Sequence, residues 1–180
     1  MIDINREAPY GTVELKIRKI VEQISGVNYL FVNNDLANYD FDRIVGPTIV
    51  YFMPLEGTFD FRWNCVKDSP RTSIAFVVHH EFDFDGEGHD QNTERMKRLC
   101  FLFVKLLNDS GYFEPIEGDV DYNVFTNDYD DNMVGVSIEP ELKEIEGVLL
   151  CDIIERDLDK ELADEFENSQ EQETETEENG

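Results

Sequence analysis

Between residues 90 and 109, apolar side chains recur at the period of an α-helix. Met96, Leu99, Cys100, Phe103, Leu106 and Leu107 stand at i, i+3, i+4, i+7, i+10 and i+11, and Phe101, Leu102 and Val104 widen the stripe in the last turns. A helix that is apolar on most sides near one end has to be covered there, by its own domain or by a neighbouring subunit. Gly111 is the residue expected just beyond its end. A shorter stripe lies near the start of the chain. Thr12 can cap it, and Val13, Ile17, Ile20, Val21 and Ile24 follow at i, i+4, i+7, i+8 and i+11. Lys16, Arg18 and Lys19 fall largely off that stripe, and Ser25-Gly26 closes the helix.

Other stretches switch to a period of two. Phe59, Phe61, Trp63 and Cys65 point one way and Asp60, Arg62 and Asn64 the other, which predicts a half-buried strand. Residues 73–84 read as its partner. Further strands are expected at 29–32, 48–53, 112–116, 122–125 and 134–138, with an edge strand at 148–151. Residues 126–132, rich in Asn and Asp, suit a hairpin loop. This order predicts an α+β domain: a mainly antiparallel β-sheet with two α-helices packed on one face, plus an acidic C-terminal extension. The domain spans 12–152, after an N-terminal arm of residues 1–11 that contains Pro9 and Gly11.

Forty-one acids face fifteen bases among 180 residues, a formal charge of −26. Residues 155–180 hold twelve acids and two bases, a net −10, which leaves −16 on the preceding 154 residues. The excess therefore belongs to the body as well as the tail. An overall field of this sign does not attract DNA, RNA or anionic membrane. The start of the chain has no basic region followed by an apolar one, so no signal peptide is expected. Apolar runs such as 74–78 and 99–104 are far shorter than the ~20 residues of a membrane helix. Cys65, Cys100 and Cys151 are widely spaced among apolar residues, as expected of reduced structural thiols.

No nucleophile elbow, P-loop or dinucleotide fingerprint is present, so neither catalysis nor a cofactor is expected. Asp83, Asp85, Glu87, Gly88 and Glu94 fall at positions 1, 3, 5, 6 and 12 of a calcium-loop spacing. Glu at position 5, Asp90 at position 8 and a strand-like lead-in favour an ordinary acidic strand–helix loop, and no metal site is expected there. His79 and His80 should face opposite sides of a strand, and with His89 they form no zinc motif. The basic sets Lys16/Arg18/Lys19 and Arg95/Lys97/Arg98 read first as solvated or ion-paired helix faces. A docking surface for an acidic neighbour is the alternative.

The segment Asp121-Tyr122-Asn123-Val124-Phe125-Thr126-Asn127-Asp128-Tyr129-Asp130-Asp131-Asn132-Met133-Val134-Gly135-Val136-Ser137-Ile138 has an aromatic strand, an Asp/Asn-rich turn and a strand containing Gly-Val. Taken with the helix over 92–108 before it, this resembles the tail-terminator, tail-completion and head–tail connector (neck) proteins of tailed bacteriophages. The likeness covers roughly 12–152 and lies in the order of elements. It implies a structural virion protein, assembled in the host cytoplasm. Such a subunit would form a homo-oligomeric ring in the portal–neck–tail channel, against other virion neck, portal and tail proteins. DNA would pass without specific binding, because an acidic lumen removes the counterion-release gain that drives binding.

The tail of residues 153–180 departs from that pattern. Ile154, Leu158, Leu162 and Phe166 step by four, which predicts an amphipathic helix of limited stability over 153–167 and makes these four the candidate partner-binding residues. Residues 168–180 contain no apolar side chain and are expected to be disordered. An acidic adaptor or charge-mimic inhibitor is the alternative function, followed by a calcium-dependent binding module.

Overall fold

Thr12 caps the first helix as its residue type predicts: its hydroxyl accepts the Leu15 amide at 3.3 Å, satisfying one of the free N–H groups of the first turn. The computed structural model describes residues 12–32, 44, 46–80, 87–126 and 133–149. In chain order the elements are α1 (Val13–Val21), β1 (Asn28–Val32), β2 (Thr48–Phe52), β3 (Glu56–Arg62), β4 (Cys65–Arg71), β5 (Ile74–His79), α2 (Glu87–Asp109), β6 (Tyr122–Thr126), β7 (Met133–Ile138) and β8 (Val148–Leu149). The fold is α+β. A five-stranded sheet runs β1-β2-β5-β7-β6, and a three-stranded sheet runs β3-β4-β8. Every pairing is antiparallel except β1 with β2, which is parallel. None of the described helices is long and apolar enough to cross a membrane.

Both helices cover one face of the larger sheet. Ile17 and Ile20 of α1, and Met96, Phe103 and Leu107 of α2, bury themselves against Ile49, Tyr51, Ile74, Phe76, Val136 and Ile138. Phe76 and Phe103 meet edge to face at 5.6 Å. Full burial of such side chains is worth about 1.5–3 kcal/mol each. On the opposite face Val50, Ala75, Val77 and Met133 form a second cluster with Val32 and Ile44. Central strands buried on both sides explain why 74–78 is a continuous apolar run instead of an alternating one.

The strand expected at 112–116 shrinks to an isolated bridge between Phe113 and Glu144. The Glu114 amide donates to the Lys143 carbonyl at 2.7 Å, and the Ile145 amide to the Tyr112 carbonyl at 3.0 Å. Pro115 has no N–H with which to extend this ladder. Gly111, at φ 73°, takes the left-handed position expected after α2.

Lys16 departs most sharply from the sequence expectation. It does not join a solvated basic face, but is fully buried. Its Nζ lies 2.5 Å from Glu144 Oε1 and donates to the Glu146 carbonyl at 3.2 Å. The second carboxylate oxygen of Glu144 accepts the Asp68 amide at 2.7 Å. One ion pair thus joins α1, the segment after β7 and β4 of the smaller sheet. Removing one partner of a buried pair strands the other charge, at a cost of about 3–5 kcal/mol. Lys16→Met should lose about that much stability in urea unfolding. Lys16→Met with Glu144→Gln should lose less, because the Gln carbonyl can still accept the Asp68 amide.

Asp68 sits beside this pair. Its carboxyl is pushed above the ordinary aspartate range, first by burial and then by the Glu144 charge. The folded protein therefore holds that proton more tightly than the unfolded chain. Asp68's contribution is most favourable below the unfolded value of about 3.9 and is lost as pH rises through the folded value. Asp68→Asn should be more stable than the native chain at pH 7, and thermal melts should show the difference vanishing below about pH 4.

Candidate interaction surface

β3 and β4 pair without a break from Glu56↔Arg71 to Arg62↔Cys65, which leaves Trp63-Asn64 as a two-residue turn. Such turns need a positive φ that normally selects Gly or Asn. Here Trp63 takes it, at φ 53°. The strand expected at 59–65 is present only as far as Arg62: Trp63 and Asn64 form the turn and Cys65 begins β4, so the expected single face Phe59-Phe61-Trp63-Cys65 is divided, and two further expectations fail. Its partner is β4, not 73–84, and its aromatic face is open: Phe59 is 67% exposed, Phe61 68% and Trp63 105%. Phe59 and Phe61 lie 6.2 Å apart on that face. Charged side chains pair along the hairpin, Arg62 with Asp60 at 2.7 Å and Arg71 with Glu56 at 3.1 Å.

Sequence punctuation concealed β4. Ser69-Pro70 reads as a turn signal, yet both residues lie within the strand. Pro70 is tolerated because β8 pairs only with Cys65 and Val66, leaving β4 an edge on that side at Pro70. β8 itself depends on Gly147, where a Cβ would come within 2.0 Å of the Val66 carbonyl oxygen.

A second apolar feature lies against the other end of the sheet order. α2, β6 and the chain between them border a groove of about 790 Å³, lined by Phe101 and Val104 of α2, Ile116 and Val120 of the connection, and Tyr122 of β6. Asn108 holds the floor by accepting the Ile116 amide at 2.9 Å and donating to its carbonyl at 3.3 Å. Phe101 is 69% exposed at the rim, and Leu102 is also exposed. The widened stripe of α2 is thus only partly covered. Lys97 lies 5.4 Å from the Tyr122 ring centroid and 2.8 Å from Glu94, and Lys105 lies 2.6 Å from Asp109. Cys100 lines the groove as a buried thiol whose pKa burial pushes up to about 11, so it stays protonated and unreactive near neutrality.

Other sequence candidates resolve differently. Arg18 pairs with Glu14 at 2.7 Å and lies over the Tyr29 ring; Lys19 pairs with Glu22. With Lys16 internal, the first basic set offers no common surface. Gly88 is helical rather than a turn residue, and the Glu94 carboxylate is engaged by Lys97. Asp83 and Asp85 lie outside the described residues, as do Ile154, Leu158, Leu162, Phe166 and Cys151. Among the described residues no group of three His, Cys, Asp or Glu side chains could hold a metal ion. His79 is exposed; His80 packs edge-on to His89 at 6.0 Å, with Asn92 Nδ2 3.1 Å from its Nδ1. The groove has a weak trace in the sequence, the apolar Phe101 and Val104 outside the main stripe. The hairpin's openness has none.

No protein-family model matches the chain, and no curated protein matches it.

A non-glycine residue in the left-handed region carries about 1–3 kcal/mol of strain. Trp63→Asn should therefore raise the unfolding midpoint of the isolated protein, by roughly 0.5–1 kcal/mol in denaturant titration. An unchanged or lowered midpoint would mean that the Trp63 ring stabilises the hairpin within its own chain.

Proposed function

We propose that the chain is a non-catalytic structural subunit of a tailed-phage virion. It forms a homo-oligomeric ring in the portal–neck–tail channel that joins head to tail and lets DNA pass. The observation that carries this is the set of exposed aromatics on the β3–β4 hairpin, Phe59, Phe61 and Trp63, the last fully exposed, to which Leu55 of the same region and Phe101 of α2 add further open apolar surface. An exposed apolar face of that kind fits an assembly protein. The likeness of the 121–138 segment and of the element order to neck and tail-completion proteins supplies the kind of assembly. A net charge of −26 suits a channel wall along which DNA slides. Adjoining neck, portal and tail proteins are the proposed partners. Ile154, Leu158, Leu162 and Phe166 are the residues that would tether one of them.

The same charge supports a second reading, an acidic adaptor or mimic that occupies a basic partner. Light scattering after size exclusion, with and without portal and tail-tube proteins of the same phage, separates the two. A ring gives a large discrete mass with those proteins, whereas a mimic stays small and binds a basic partner in a salt-sensitive way. A chain ending at Asp152 should assemble with its neck partners at least tenfold more weakly than the full chain, about 1.4 kcal/mol. Equal assembly would remove the tether.

A further inference from the structure

We infer that the β3–β4 hairpin of one copy docks into the α2/β6 groove of a second copy, with Phe61 and Trp63 as the inserted side chains. The two features are shaped as opposites: a projecting turn with three exposed aromatics, and an apolar groove of about 790 Å³. They also lie apart on one chain. The root of the hairpin, at Phe59 and Pro70, borders Phe31 of β1 and Tyr51 of β2, whereas the groove belongs to β6 and β7 at the opposite end of the sheet order. Their separation favours a partner molecule as the source of the inserted hairpin.

Charge leaves a second copy open as that partner. Two chains at −26 repel over most approaches. Residues 56–71 carry three acids and three bases, a net of zero. Charged groups lining the groove are Glu94, Lys97, Lys105 and Asp109, also a net of zero, and they are already paired with one another. These balanced patches repel each other less than the rest of two acidic molecules would, although Glu117, Asp119 and Asp121 flank the groove. A strongly basic partner would instead find its attraction weakest there. The two inserted aromatic side chains bring roughly 300–500 Å². Phe59 and Leu55, exposed at the root of the hairpin, add apolar surface that a docked partner can cover, toward the ~800 Å² that each partner buries in a specific interface.

The contact is heterologous, hairpin to groove, so each copy keeps one free hairpin and one free groove, and closure gives a ring. Only that closure rests on the ring proposed above; the pairwise contact does not.

Trp63 is the single tryptophan of the chain, so its fluorescence reports the contact directly. In the full-length protein its emission should move to the blue, and acrylamide quenching should fall, as concentration rises. Sedimentation should show a parallel gain in mass. Added salt should strengthen the association by screening the net charge. Phe101→Asp, at an exposed helix position, should weaken it about thirty-fold or more, as should Phe61→Ser, with circular dichroism unchanged. Mixing these two variants leaves one intact hairpin and one intact groove, and should yield dimers and nothing larger. A solvated, concentration-independent emission with a monomeric mass at low and high salt would overturn the contact. So would an association that survives Phe101→Asp. If the dimer forms but the chain joins no neck or tail protein, the virion assignment alone fails.

Discussion

Lys16 and Glu144 are separated by 128 residues and meet inside the protein, and three parts of the structure depend on their meeting. The ammonium anchors α1. The carboxylate holds the chain after β7 and, through the Asp68 amide, the strand that supports the hairpin. Desolvating two charges costs several kcal/mol apiece, so an apolar pair could stabilise the fold as well or better. An apolar pair could not accept the Asp68 amide. The pair is thus a positioning device: it fixes the smaller sheet against α1, and with it the direction in which the β3–β4 hairpin projects.

The same network gives the charge distribution a structural meaning. In a chain at −26 a base is scarce, and among the described residues Lys16 is the one that lies buried. Most remaining pairs are local and exposed, Arg18 with Glu14 and Lys105 with Asp109 among them, and each adds little to stability. Their greater effect is on the field. Each such pair cancels one carboxylate locally. The residues of the β3–β4 hairpin balance in charge, and the carboxylates lining the α2/β6 groove are paired with lysines, although Glu117, Asp119 and Asp121 beside it are acidic.

Much of the fold was legible because helical and strand periods are local. Thr12, Gly111 and the Met96–Leu107 stripe mark α1 and α2 within a few residues, and the strand pattern at 122–138 gives β6 and β7. Legibility fails where a residue's role depends on a distant one. Lys16 stands at the i+3 position of the buried face, where a lysine is read as reaching for solvent, and nothing near it announces Glu144. β4 carries Ser69-Pro70, which is a turn signal unless β8 is known to stop pairing before it. The alternation of Phe59 and Phe61 marks a shared face but is silent on whether anything covers it, and it runs on through Trp63 although the chain turns there. The open hairpin, half of the candidate surface, was therefore visible as a pattern and hidden as a surface.

Trp63 brings these constraints together. Left-handed backbone is inexpensive for Gly or Asn and costly for a bulky aromatic, and a fully exposed indole returns little burial energy in the isolated chain. Stability within one molecule gives no reason for tryptophan at this turn. A partner does: Trp is the residue that most often carries binding energy once it enters a pocket. The turn geometry holds it clear of its own sheet, the paired strands below limit its freedom, and the Lys16–Glu144 pair fixes those strands to the body. An aromatic anchor held in place this way would lose little further entropy on docking, so more of its apolar burial would be available to the proposed contact.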